Sequence, residues 1–236
     1  MSGRNSTKES LRGQKVTHKR ITAILAILAG AIVAAFWISC RSARNTTITI
    51  DRERREIRFP ATVHVDAFDR SLFQPGHHSV VSRYGISRFG ALFLADPSDL
   101  DVRHALEEIG AVPGENLTPE SWTEREDPSS AAPDLHVEGT RIEVFVESKG
   151  ARHALADLID PSTDSILDFR YGGNEEYRSR FHSGCIVCNY SCPGGAVGNH
   201  TLTIRDEVKG RVTFKVAKTF PFSDGERVVL ILRVVD

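Results

Sequence analysis

The residues best suited to chemistry lie in one run, H-S-G-C-I-V-C-N-Y-S-C-P-G-G-A-V-G-N, from His182 to Asn199. It holds Cys185, Cys188 and Cys192, with Pro193 directly after the third. The spacing C-x2-C-x3-C-P is the back half of the bacterial ferredoxin run. Three residues before Cys185, where that run has its first cysteine, stands His182. A cubane [4Fe-4S] cluster needs several soft ligands wrapped round one object by a short segment, so close spacing demands tight turns. Gly184, Gly194, Gly195 and Gly198 permit such turns. Pro193 fixes the direction in which the chain leaves. The expected ligands are Cys185, Cys188 and Cys192, with His182 or an exogenous group on the fourth iron.

The same residues admit other chemistry. Three thiolates and an imidazole suit a four-coordinate structural zinc. Cys185-x2-Cys188 would also serve as an exchanging thiol pair, leaving Cys192 as an odd thiol. Buried and inert cysteines are the remaining possibility. Replacing one cluster thiolate by neutral imidazole is expected to raise the reduction potential.

The elements that must position this run are mostly extended. Thr47–Ile50 and Glu56–Val65 alternate and read as a hairpin with one buried face. His64 and Asp66 would share a side of that second strand, as a solvated edge. Val80-Val81 and Ala91–Leu94 read as short buried strands, and Ile142, Val144 and Val146 mark another. The adjacent His77 and His78 follow the Gln74-Pro75-Gly76 turn. Successive strand side chains point to opposite faces, so this pair is not read as ligands. Asp96–Asp99 caps a helix whose Val102, Ala105, Leu106 and Ile109 form one apolar stripe, with Gly110 ending it. Asp99, Arg103 and Glu107 are four-apart charge partners on its wet face.

Residues 113–133 read as a polar loop, 151–159 as a short helix or helical turn, and 166–171 as extended. After the cysteine loop, 201–204, 211–216 and 227–235 read as strands. The last follows an Asp-Gly turn and is apolar enough to lie centrally in a sheet.

Upstream, residues 1–20 form a basic tail and 21–40, ITAILAILAGAIVAAFWISC, are uncharged. Twenty apolar residues can span a hydrocarbon core of about 30 Å as a helix. The segment is read as a transmembrane anchor; a cleavable signal or lipidation at Cys40 are alternatives. Lys and Arg flank both ends, but the long following domain crosses regardless of charge. It is therefore placed outside the cytoplasm on a single-pass membrane protein.

The whole chain has 236 residues, 26% charged, with a formal net charge of -1, which excludes nucleic acid as an expected partner. The fold expected is α+β: a β-rich single domain over 45–236 with one or two short helices, preceded by one transmembrane helix. No nucleophile-elbow or phosphate-loop motif occurs, so an electron carrier or binding module is read in preference to an enzyme. Its partners would be the membrane and a redox protein.

The strand pair 48–65, the stretch A-L-F-L-A-D-P-S-D-L-D-V-R-H-A-L-E-E-I-G-A-V-P-G (91–114) and the run G-C-I-V-C-N-Y-S-C-P-G-G-A-V-G-N (184–199) together resemble the YdjY-like domain family. Members with the cysteine run are described as ferredoxin-type four-iron proteins. The resemblance implies a ligand role for Cys185, Cys188 and Cys192 and leaves His182 unassigned. Many members carry Lys-x-His-Glu-Ser shortly before the helix. Here that place reads Ser87-Arg88-Phe89-Gly90, and the nearest likeness, His77-His78-Ser79, lies further upstream.

Overall fold

The computed structural model describes residues 48–71 and 75–236. Twelve strands occur in it: β1 (Thr49–Asp51), β2 (Glu56–Val63), β3 (His78–Ser82), β4 (Ala91–Ala95), β5 (Arg141–Ser148), β6 (Ala151–Ala154), β7 (Ile159–Pro161), β8 (Phe169–Tyr171), β9 (Cys185–Cys188), β10 (Gly195–Asn199), β11 (Phe214–Val216) and β12 (Arg227–Val235). Five short α-helices accompany them: α1 (Val65–Asp69), α2 (Asp99–Glu108), α3 (Pro119–Thr123), α4 (Glu175–Phe181) and α5 (Ile204–Val208).

The main sheet runs β1-β2-β12-β5-β8-β10-β9-β3-β4, and β4 pairs back to β2. The eight strands from β2 to β4 therefore close on themselves, which removes the open edges on which sheets aggregate. Alternation explains which face is buried. Ile57, Phe59, Ala61 and Val63 of β2 are buried, as are Val228, Leu230, Leu232 and Val234 of β12 and Ile142, Val144 and Val146 of β5. Leu230 sits opposite Phe59 on one side and Val146 on the other. Each such side chain contributes about 1.5–3 kcal/mol of burial. β12 lies between β2 and β5, as its continuous apolar run requires.

Helix α2 forms where its stripe predicts, with the Ser98 hydroxyl accepting from the Asp101 N–H. Its polar side differs from expectation. Arg103 is buried and reaches the Glu175 carboxylate of α4 at 3.1 Å. The Tyr171 hydroxyl donates to Glu107 at 2.7 Å. A guanidinium is buried only where a carboxylate offsets its lost hydration, so this pair fastens α4 to α2.

Four further expectations need correction. Among the described residues no helix is long and apolar enough to cross a membrane, so the fold described is the β-rich domain without the expected transmembrane helix. The basic tail, the 21–40 segment and Cys40 lie outside the described residues. Residues 151–159 form β6 and a 3-10 turn, because Ala151–Ala154 pairs with β5. Residues 201–204, expected as a strand, instead turn into α5: Thr203 and Asp206 form a capping box that starts the helix at Ile204. At 65–69 the chain turns into α1, so His64 and Asp66 share no strand.

Candidate functional site

The three cysteines do not sit on a free loop. Cys185 and Cys188 are the ends of β9, which lies between the parallel neighbour β10 and the antiparallel neighbour β3. In a regular strand, residues three apart face opposite ways. Here the register with β3 shifts on both sides of Val80: Cys188 opposes His78, Val187 opposes Val80, and Cys185 opposes Val81. Ser79 and Ile186 are thus the residues left over by two register shifts, and Cys188 interacts with Cys185 despite the three-residue spacing. Cys192 arrives from the turn after β9, where its N–H donates to the Tyr190 carbonyl at 2.8 Å.

Close backbone approach shapes the floor. A Cβ on Gly195 would lie 3.0 Å from the Cys188 Cβ, so Cys188 leans over a position that only glycine can occupy without displacement. Gly184 has φ +70°, and a Cβ there would meet the Gly85 Cα at 2.3 Å. That contact lets the 85–87 segment strap across, with the Ser87 N–H donating to the Ser183 carbonyl at 3.1 Å. Gly195→Ala is expected to push Cys188 out of line and to destabilise the domain by about 1–3 kcal/mol, the usual cost of overpacking. Chemical denaturation would measure the loss; an unchanged midpoint would remove Gly195 from this role.

All three thiols are free and buried. Cys188 lies within hydrogen-bonding reach of both Cys185 and Cys192. Backbone N–H groups point at two of the sulfurs: Tyr190 N–H at Cys188, and Gly194 N–H at Cys192 over 3.4 Å. Such N–H donors stabilise negative sulfur and tune a bound metal.

His77 and His78 complete the group. His77 is fully buried at the residue before β3, and His78 is 7% exposed. One ligand atom each from His77, His78 and Cys188 lie within 4.8 Å of one another. Neither ring nitrogen of His77, nor Nδ1 of His78, has a hydrogen-bond partner. His77 Nδ1 stands 3.6 Å from the Glu207 carboxylate, within ion-pair range and too long for a hydrogen bond. A carboxylate behind an imidazole is the usual support of a metal-binding histidine.

The electrostatics follow from burial. Contact with Cys188, then burial, pushes the Cys192 thiol well above its ordinary value. Burial, then contact with Cys185, does the same to Cys188. Burial alone would lower the pKa of His77, but its contacts with Cys192 and Glu207 outweigh that and raise it to about 9. Burial and then the charge of His77 hold His78 well below its usual range. Buried, protonated thiols are poor nucleophiles, so this environment disfavours thiol–disulfide exchange. A cation among them would reverse the balance and deprotonate them.

His182 lies elsewhere. It is exposed, at the left-handed C-cap of α4, with φ 49°. The structure gathers Cys185, Cys188 and Cys192 and does not bring the His182 side chain into the buried group. Sequence reading passed over His77 and His78 because alternation separates neighbours on a strand. His77, however, precedes β3, so alternation does not apply to it.

The class that the fold and this site define is a closed β-rich domain with thiols and imidazoles gathered at one buried point. The chain belongs to the YdjY domain family, whose pattern it matches over residues 48–233. It is 32% identical over 157 residues to the uncharacterized protein YdjY of Escherichia coli strain K12. That match covers 65% of this chain and 65% of the relative, a little under two thirds of the relative's own length. No solved structure matches.

Proposed function

We propose that this domain holds a redox-active iron–sulfur centre and transfers electrons. The observation that supports it is the convergence of three free, buried thiols, two of them approached by backbone N–H groups, beside buried imidazole nitrogens with no partner. Unpartnered buried polar atoms are costly, and a metal centre supplies what they lack. Cys185, Cys188 and Cys192 would hold the [4Fe-4S] cluster, with His77 in place of His182 on the fourth iron. The cluster would supply one-electron redox chemistry. The protein's part is to exclude water from the sulfurs, to orient them through β9 and its bulges, and to hold the His77 ring through Glu207.

A single zinc ion is the second reading. The mutual 4.8 Å approach of His77, His78 and Cys188 favours it, because donors round one ion lie close together. Anaerobic purification followed by iron, sulfide and zinc determination separates the two. About four irons with matching sulfide per chain are expected from a four-iron centre. One zinc without sulfide would establish the second reading, and neither metal would remove both.

A further inference from the structure

Beside the thiols lies a cavity of about 190 Å³. Cys185, Cys192 and His78 form its inner end, and Trp122, Tyr177 and Phe181 wall it. Among the described residues no Asp, Glu, Lys or Arg lines it, so a charged ligand would find no opposite charge there to replace its hydration. The walls are ordered: Tyr177 stacks on Phe181 with ring centroids 4.2 Å apart, and Trp122 meets Tyr177 edge-on at 5.9 Å. Such rings favour a planar guest. The volume falls below the 300 Å³ or so of a drug-sized pocket and suits a single ring. His78, nine-tenths buried with its Nδ1 unpartnered, puts one polar side chain at the inner end. The mouth is apolar: Ile86 lines the cavity at 64% exposure, and Tyr84 and Phe89 of the same segment are 73% and 72% exposed. Exposed apolar side chains grouped on one short segment mark a binding surface.

We propose that this cavity binds the ring of a quinone. A quinone head is neutral, planar and carbonyl-bearing, matching the uncharged aromatic walls and the imidazole. Its apolar tail would lie along Ile86 and Phe89. The binding rests on the cavity; the use of the quinone as an electron acceptor or donor rests on the redox centre proposed above. Cys185 and Cys192 line the cavity, so a guest there would contact those side chains.

The test is calorimetric titration of the full chain with duroquinone, whose ring carbons are all substituted so that thiols cannot add to them. Saturable one-to-one binding is expected. Ile86→Arg places a charge at the apolar mouth, and Ser87→Trp fills it from the solvent side. Each should weaken binding about ten-fold or more while leaving the thermal midpoint unchanged. Absence of saturable binding, or affinity in both variants equal to that of the unmodified chain, would overturn the assignment. Metal content is determined on the same preparations. Metal-loaded protein that ignores duroquinone overturns this inference alone. Protein that binds duroquinone at the mouth-sensitive site but takes up no metal upholds the cavity and overturns the centre.

Discussion

Cys188→Ala is expected to empty the centre, taking iron and sulfide from about four of each per chain to background. Cys188 is the sulfur in reach of both other thiols, and its Cβ packs over Gly195. Alanine keeps that Cβ and removes only the sulfur. The fold loses only weak contacts of that sulfur, among them the thiol donating to the His77 carbonyl at 3.7 Å and the Tyr190 N–H pointing at it, and a small cavity is left. A cost of about 1–2 kcal/mol follows for the metal-free fold, in line with small deletions in a core. The metal loses a ligand that no neighbour can replace. Iron and sulfide determination, with the visible absorption of the anaerobically purified variant, would measure it. Full retention of colour and iron would rule out the three-thiolate assignment.

The second large effect separates two histidines. His77→Ala should lower metal retention about ten- to a hundred-fold, the range seen when the support of a metal site is removed. His182→Ala should leave retention unchanged. His77 is fully buried between Cys192 and Glu207, so its loss strips an unpartnered imidazole from the sulfurs and leaves Glu207 facing a void. His182 is exposed and holds only a left-handed backbone position. Glycine there should stabilise α4 slightly, by about 0.4–1 kcal/mol, because that conformation is natural to it. Competition with a chelator, followed by the rate of metal loss, distinguishes the two variants. Faster loss from His182→Ala than from His77→Ala would return the fourth ligand to the ferredoxin-like position.

Much of the scaffold was legible because it follows from periodicity. The stripe Val102, Ala105, Leu106 and Ile109 placed α2, and the apolar run Val228–Leu232 placed β12 inside the sheet. Failures occurred where a partner decided the matter. Ala151–Ala154 has weak strand propensity of its own and is extended because β5 supplies its hydrogen bonds. Arg103 looked solvated by four-residue spacing, yet Glu175 of a helix more than seventy residues away draws it inside.

For the site, the one-dimensional chain determined which sulfurs belong together, since spacing and turn-forming glycines are local properties of one short run. Only three-dimensional packing decided that two of those sulfurs sit at the ends of a buried strand, with the third in the turn after it, and which imidazoles lie near them. His77 and Cys188 are 111 residues apart, and they meet because β3 pairs with β9 through two bulges. A bulge shifts which face a side chain occupies, and strand pairing over that distance leaves no trace in the periodicity of either segment.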